Sequence, residues 1–227
     1  MGDILNNGTV MNGKLIEKPK SFRVACTVVS QVSAAVASGQ YGGQSIDVRH
    51  LGQFLRISYN KYYKKSLERN LKFLDKATAE KVAKEEALAM KKEELSAGIQ
   101  TIQYQLNTLM TTNGQSPFIT LFLNIPEGDE YESEIAEIVE EILKQRLKGI
   151  KNESGEYVTP AFPKLVYVLD EHNCLKGGKY DYITKLAAKC SAKRMYPDYI
   201  SAKKMREMKD GNVFSPMGWQ YSSYKTF

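Results

Sequence analysis

The sequence predicts an α/β protein in which long helices precede a β-α-β-α segment. Two nearly continuous apolar runs of strand length, residues 116–123 and Lys164–Leu169, are typical of parallel strands that are covered on both faces. The amphipathic stretch 130–147 between them is long enough to form a crossover helix. Helical periodicity over residues 48–74 and 77–110 predicts the long helices upstream.

Composition excludes several classes of protein. The chain has 227 residues, 42% of them hydrophobic, with a net charge of +6 that favours polyanionic partners such as nucleotides. We see no secretory signal and no apolar run of the roughly 18 residues that a membrane span needs. Three cysteines without CxxC spacing, Cys26, Cys174 and Cys190, indicate a reducing cytoplasm rather than a disulfide framework. With two histidines, no local zinc cluster is visible, so no metal ligand is assigned.

The first forty residues predict a hairpin and a helix. Asn12-Gly13 lies between short apolar pairs, which is typical of a hairpin turn. Ser21 can cap a helix over residues 21–36, whose many small side chains would let another helix approach closely. That helix is either part of the core or a dimer contact. Paired glycines in residues 40–45 then form a tight turn or allow a ligand close to the backbone, and there is no Walker A motif.

Lysines follow the polar side of the predicted helix 48–74. A solvated face is one interpretation, and a phosphate site built from Lys61 and Lys65, one helical turn apart, is the other. Helix 77–110 alternates Lys with Glu in its first half, which is typical of a solvated surface. Its second half is more apolar and is expected to be buried, with Gly98 as a possible kink.

The second half carries the residues with chemical potential. Asp170, Glu171 and His172 follow a predicted strand, at the edge where open α/β sheets place their chemistry. They are either an acid/base group or surface and capping residues, because adjacent residues point to different sides. Cys190, on a predicted helix over residues 181–194, has basic neighbours that would lower a thiol pKa, although most such cysteines are structural. Residues 199–201 are extended in character.

These patterns divide the chain into three parts. Residues 1–110 form a helical segment with an N-terminal hairpin, residues 111–218 form the β-α-β-α portion, and residues 219–227 form a tail of different composition.

Several stretches together resemble one family, the anaerobic (class III) ribonucleoside-triphosphate reductases. They are Asn7-Gly8-Thr9-Val10, Glu17-Lys18-Pro19-Lys20-Ser21-Phe22, Gln40-Tyr41-Gly42-Gly43-Gln44-Ser45, Thr111-Thr112-Asn113-Gly114-Gln115-Ser116-Pro117-Phe118, Pro163-Lys164-Leu165-Val166-Tyr167-Val168-Leu169-Asp170, Ser191-Ala192-Lys193-Arg194-Met195-Tyr196-Pro197-Asp198 and Ser215-Pro216-Met217-Gly218. No single motif is specific, but their order across the chain is.

The resemblance implies part of a ten-stranded glycyl-radical-enzyme α/β barrel that reduces ribonucleoside triphosphates to deoxyribonucleotides. In the family, a glycyl radical makes a thiyl radical on a barrel cysteine, which abstracts the ribose 3′ hydrogen, and formate commonly supplies electrons. A radical-SAM activase installs the glycyl radical, and a four-cysteine site holds zinc. Deoxynucleotide or ATP effectors bind at helices near a homodimer interface. This implies effector contacts at Gln31, Lys61 and Lys65, and gives residues 1–110 an effector and dimer role.

The resemblance breaks immediately after Gly218. The family pattern continues with the thiyl cysteine, whereas this chain has Trp219, so no catalytic residue is intact. The second active-site cysteine, the glycyl-radical loop and the zinc cysteines of the family are not found in this sequence. We therefore expect an internal piece of the reductase, ended by a frameshift or a fragmentary gene and inactive by itself. The alternatives are a nucleotide-effector-binding or dimerising module without catalysis, which would pair with a complementary reductase chain, and a basic nucleic-acid-binding protein. An incomplete parallel barrel would leave strand edges open, so the resemblance also implies an oligomer or a poorly soluble chain.

Overall fold

A computed structural model describes residues 1–11, 13–39, 43–108, 114 and 118–215. The helices are α1 (Gly2–Asn7), α2 (Phe22–Gly39), α3 (Gly52–Asn70), α4 (Lys76–Thr108), α5 (Glu132–Lys148), α6 (Glu171–Cys174), α7 (Asp181–Arg194) and α8 (Ala202–Met208). The strands are β1 (Thr9–Met11), β2 (Lys14–Ile16), β3 (Gln44–Asp47), β4 (Ile119–Leu123), β5 (Ile150–Lys151), β6 (Tyr157–Val158), β7 (Lys164–Leu169) and β8 (Asp198–Ser201).

The central feature is a parallel sheet in the order β3-β4-β7-β8. Two of its strands, β4 and β7, are the predicted buried runs, and α5 is the predicted crossover between them. The predicted α/β class is therefore confirmed. Four of the eight described strands form this open sheet, and the others form two antiparallel hairpins, β1–β2, which is the predicted N-terminal hairpin, and β5–β6. The ten-stranded barrel therefore stays a proposal.

Strand β3 was not predicted. Its sequence, Gln-Ser-Ile-Asp, has a single apolar residue and therefore no periodic signal. It is a strand because it pairs with β4, with Ser45 opposite Thr120 and Ile46 opposite Leu121. The sheet thus combines β3, which precedes the predicted boundary at residue 110, with strands that follow it. The division into residues 1–110, 111–218 and 219–227 stays a prediction, and its last segment lies outside the described residues.

Helices cover one face of this sheet. Side chains from β4 and β7, including Leu121, Leu165 and Tyr167, join one core with α2, α4, α5 and α7. Helices α3 and α4 form an antiparallel hairpin, because Tyr59 lies beside Lys91 and Ser66 beside Glu86. The predicted helix 48–74 is shorter than expected: a 3-10 turn occupies Val48–Leu51 and α3 ends at Asn70.

The small side chains of α2 pack within the chain. Ser21 begins the helix as predicted, with its hydroxyl accepting from the Val24 amide at 3.4 Å. Ala25 and Cys26 are buried against α4, where a Cβ on Gly98 would stand 2.7 Å from Cε1 of Phe22 and 3.0 Å from Sγ of Cys26. This favours the core interpretation of α2. At Gly98, α4 continues as helix, and the glycine allows close approach instead of the expected kink.

Helix α2 qualifies one expectation about membranes. By length and composition it is the one described helix that could cross a bilayer. From the sequence alone we expected no apolar run long enough to do so. Core helices pass the same test, and α2 buries residues such as Phe22, Val28 and Val29 against its neighbours. Its apolar character is therefore explained by packing.

Ion pairs attach α5 to its neighbours. Arg56 of α3 donates to both carboxylate oxygens of Glu134, at 2.7 and 2.8 Å. Lys179 donates to Glu132 at 2.6 Å, and the Gly128 amide donates to the same carboxylate at 2.7 Å. Burial raises the pKa of Glu132, but the hydrogen bonds from Lys179 and Gly128 outweigh burial and bring the pKa down to about 2.

This depressed pKa predicts a contribution to acid stability. Because the Glu132 pKa is about 2 in the fold and near 4.5 otherwise, its stabilisation is complete above pH 4.5 and is lost as pH falls towards 2. Glu132→Gln should lower the free energy of unfolding by about 1 kcal/mol at pH 7, since Lys179 is exposed and solvent screens the pair. The difference should be much smaller at pH 2, where half of the Glu132 carboxyl groups are protonated in the fold, and it vanishes only below that pH. Urea unfolding at both pH values measures it, with exposed Glu153→Gln as control; an equal loss at pH 7 and pH 2 would contradict the assignment.

Candidate functional site

Asp170, at the carboxyl edge of the sheet, has a structural role. Its Oδ1 accepts from the Glu171 amide at 2.9 Å, and the Asn173 side chain accepts from the Asp170 amide at 2.9 Å, which makes a capping box for α6. Arg206 of α8 pairs with both carboxylate oxygens. Burial raises the pKa of Asp170, but Arg206 and the Glu171 amide hold it below its ordinary value. These contacts support the capping interpretation, and the Asp-x-x-Asn spacing was a readable signal for it.

His172 and Glu171 do not join Asp170 in a catalytic group. The His172 ring lies edge-on to Tyr180, with centroids 5.8 Å apart, and both ring nitrogens are buried without a partner among the described residues. Glu171 is exposed. The three neighbours therefore face different surroundings, because Asp170 caps α6 whereas Glu171 and His172 lie in its first turn.

Cys190 is a buried thiol. It is fully inaccessible, and burial raises its pKa despite the opposing charges of Arg146 and Arg194. This contradicts the reactive interpretation, because desolvation outweighs the positive neighbourhood. Arg194 itself closes the end of α5: its Nε donates to the Leu147 carbonyl at 3.1 Å and Nη2 to the Lys148 carbonyl at 2.6 Å.

The predicted effector residues are all exposed, but the structure does not bring all three together. Lys61 and Lys65 lie one turn apart on α3, whereas Gln31 lies on α2. The Phe22 amide donates to Oγ of Ser58 at 2.8 Å, which fixes where the two helices meet. Helix α2 runs antiparallel to α3, since Val29 shares a cavity with Val48 and Leu51. At 1.5 Å per residue, Gln31 is roughly 14 Å from the Phe22 level, in the direction away from Lys61.

The amino edge of the sheet gathers stretches that are far apart in sequence. A Cβ on Gly43 would stand 3.0 Å from the Phe118 ring, so these residues pack tightly. Phe118 meets Phe162 edge-on at 5.0 Å between centroids, and the Lys164 ammonium lies 5.2 Å from the Phe118 centroid. Residues 43, 118 and 164 belong to three of the family-like stretches. No local sequence signal predicted that these stretches would meet.

The second face of the sheet, opposite the main core, lies next to this amino edge at Ser45. It is lined by Phe122, Val166 and Val168 and covered by Ala202 and Val213. Two residues beyond Val213, the hydroxyl of Ser215 lies 2.6 Å from the hydroxyl of Ser45 on β3. The loop that begins at Ser215 therefore starts over this face, beside the residues 40–45 stretch.

Parts of this candidate site lie outside the described residues, namely 40–42, 111–113, 115–117 and 216–219. Trp219 is among them. It follows Ser215 by four residues in the sequence. In the part of the chain that the structure describes, no group of three His, Cys, Asp or Glu residues could hold a metal ion.

Comparisons with known proteins agree on one family. A family model described as anaerobic ribonucleoside-triphosphate reductase matches residues 1–223. Proteins named anaerobic ribonucleoside-triphosphate reductase from Haemophilus influenzae, Enterobacteria phage T4 and Escherichia coli K12 are each 36% identical over 95% of this chain. The chain spans 28%, 34% and 28% of their respective lengths.

Solved structures share the fold. The anaerobic ribonucleotide reductase of Thermotoga maritima with dATP bound in the specificity site gives a TM-score of 0.54 at 15% identity, over 89% of this chain and 33% of that one. Its complex with dATP and CTP gives a TM-score of 0.55 at 14% identity, over 89% and 32%. Since the family model covers nearly the whole sequence, this chain belongs to the anaerobic ribonucleoside-triphosphate reductase family.

Proposed function

We propose that this chain forms the part of an anaerobic ribonucleoside-triphosphate reductase that holds the loop of the radical-bearing residue. Such an oxidoreductase reduces ribonucleoside triphosphates to deoxyribonucleoside triphosphates for DNA synthesis. The contact between Ser45 and Ser215 carries the proposal, because it sets the start of the loop over the sheet's second face. The four parallel strands would be a portion of the family's ten-stranded barrel, with that face inward.

The residues of this chain would position the loop and exclude water from it. Phe122, Val166 and Val168 give the inner face an apolar floor, which suits chemistry that must be shielded from solvent. At position 219 the indole of Trp219 has no S–H bond, so it cannot supply the thiyl radical on which the family's chemistry depends. We therefore propose that this chain does not turn over by itself.

The family's zinc and glycyl radical are not assigned to residues of this chain. Zinc needs several thiolate or imidazole ligands in one place, and the described residues offer no such group. The glycyl radical supplies the hydrogen-abstraction step that generates the thiyl radical. Neither group enters the role proposed for these residues, which is to support the loop.

Partners follow from the open edges and the exposed lysines. We propose that a second copy or a complementary reductase chain covers the edge strands β3 and β8, which end the described sheet. A shared effector site is consistent with this, because Gln31 and Lys61 are separated in one copy and would be joined only through another. A radical-SAM activase would act on the assembled enzyme. We also place the protein in the cytoplasm, which its free cysteines support.

Effector binding through α3 is testable. Lys61 and Lys65 are exposed and form no ion pair with the residues that the structure describes, so their ammonium groups can contact a triphosphate. We expect calorimetry to detect dATP, dGTP or dTTP binding, and expect Lys61→Ala/Lys65→Ala to weaken it about tenfold or more, since each lost phosphate contact removes about 1 kcal/mol. Lys84→Ala, an exposed lysine of α4, is the matched control. Wild-type protein that binds no deoxynucleotide would refute the effector role.

A further inference from the structure

A second polar surface shares no lining residue with the candidate site. A groove of about 480 Å³ runs between α4, the end of α5 and the β5–β6 hairpin. This volume falls within the range of small-molecule sites. Its walls include Gln100, Gln103 and Tyr104 of α4, Lys148 of α5, and Lys151 and Tyr157 of the hairpin.

The groove has an excess of positive charge. The ammonium groups of Lys148 and Lys151 lie 5.8 and 5.5 Å from the centroid of the same Tyr157 ring. Across the described ranges, neither lysine has a carboxylate within ion-pair distance. The acidic residue of the groove, Glu141, already accepts from Ser96 at 2.8 Å and from Gln145 at 2.7 Å. Two uncompensated ammonium groups on one ring favour an anion with several charges.

Aromatic and amide groups line the same groove. Tyr104 is 47% exposed and Tyr157 is 46% exposed, so both offer ring surface to a ligand. The side-chain amides of Gln100 and Gln103 make no hydrogen bond within the described chain, which leaves donors and acceptors for the edge of a base. Exposed aromatic rings beside basic groups are the usual means of holding a base and its phosphates.

We propose that this groove binds a nucleoside polyphosphate, with its base against Tyr104 or Tyr157 and its phosphates at Lys148 and Lys151. The site is separate from the proposed effector site on α3. Tyr59 lies at the level of Lys91 on α4, and Tyr104 is roughly 20 Å farther along that helix, away from Lys61. The proposal does not depend on reductase activity.

Calorimetry with ATP on the full chain tests the site. Lys148→Ala/Lys151→Ala should weaken ATP binding at least tenfold. Tyr104→Ala/Tyr157→Ala, which removes both rings, should weaken it about fivefold or more, since stacking on one aromatic ring contributes about 1–3 kcal/mol. Lys81→Ala/Lys84→Ala, two exposed lysines of α4 outside both proposed sites, is the matched double variant and should leave ATP binding unchanged. Inorganic tripolyphosphate and adenosine are the two partial probes, and each should bind more weakly than ATP.

Photo-cross-linking with 8-azido-ATP locates the bound base independently of affinity. We expect label on peptides that contain Tyr104 or Tyr157. Label confined to α3, or ATP binding that only the Lys61/Lys65 variant reduces, would assign the ligand to the effector site and overturn the groove. An absence of ATP binding by the wild type would overturn it too. Tripolyphosphate binding as tight as ATP would show that the aromatic walls contribute nothing, which also contradicts the proposal.

Discussion

Replacing Arg146 with alanine is expected to lower the free energy of unfolding by about 3 kcal/mol. Arg146 is 3% exposed on a core-facing position of α5. Its guanidinium donates to the Pro160 carbonyl at 2.8 Å and to the Pro163 carbonyl, and it lies 5.5 Å from the Tyr196 ring centroid. Each carbonyl left unsatisfied in the interior costs about 1–3 kcal/mol, and the lost side chain also leaves a cavity.

One opposing effect reduces this loss. Burial lowers the pKa of Arg146 to about 10, which means that the fold destabilises the charged form of the side chain. Alanine removes that penalty, yet two orphaned carbonyls and a cavity together outweigh it. Lysine retains the charge but lacks the forked donors, so Arg146→Lys should fall between wild type and Arg146→Ala.

Guanidinium unfolding followed by circular dichroism measures the change. Lys144→Ala is the matched control, because Lys144 lies on the exposed side of the same helix and, among the described residues, forms its ion pair with Glu140 at 2.6 Å. It should change stability by less than about 0.5 kcal/mol. If Arg146→Ala were as stable as Lys144→Ala, Arg146 could not be the residue that connects α5 to the entry of β7.

Replacing Gly98 with alanine is expected to destabilise the chain by about 1–3 kcal/mol, in the range of overpacked cores. The new Cβ would stand 2.7 and 2.8 Å from ring carbons of Phe22 and 3.0 Å from Sγ of Cys26. Phe22 and Cys26 are both fully buried, so neither can move aside into solvent. The whole contact between α2 and α4 would have to widen.

The sign of this change makes the test sharp. In an exposed helix interior, alanine is more favourable than glycine by about 1 kcal/mol, so a position without the clash would be stabilised. Ala89→Gly, at an exposed position of the same helix, should give that ordinary loss and calibrate it. A Gly98→Ala variant with a higher unfolding midpoint than wild type would contradict the close packing of α2 on α4.

Periodicity predicted the long helices and the buried strands because those elements are defined by which residues face the core. Strand β3 escaped detection because its pairing with β4, and not its own residues, makes it a strand. Arg146 was missed for a related reason. A basic residue on an amphipathic helix normally faces solvent, and the carbonyls that it satisfies lie 14 and 17 residues farther along the chain.

The candidate site shows the same division. The Asp170 capping box has a local spacing and could be read from the sequence. The Ser45–Ser215 contact joins residues 170 positions apart, and no local pattern encodes it. The order of the motifs predicted the family, and the comparisons confirm it. The position of Asp170 after a strand led us to expect a site at the carboxyl edge of the sheet. The family-like stretches that the structure describes instead meet at the amino edge and over the second face.

Disulfide trapping tests most directly whether the family's radical-bearing loop starts over the sheet's second face. Ser45→Cys/Ser215→Cys, in a Cys174→Ser background that removes the exposed thiol, should cross-link readily, because hydroxyl oxygens 2.6 Å apart place the two Cβ atoms within disulfide reach. Ser133→Cys/Ser215→Cys is the control and should stay reduced, because Ser133 is exposed at the start of α5, at the carboxyl edge and on the other face of the sheet. We predict near-complete cross-linking of the first pair under mild oxidation, seen by mass spectrometry of the linked peptides. A 45–215 pair that cross-links no faster than the control would show that the loop does not start there.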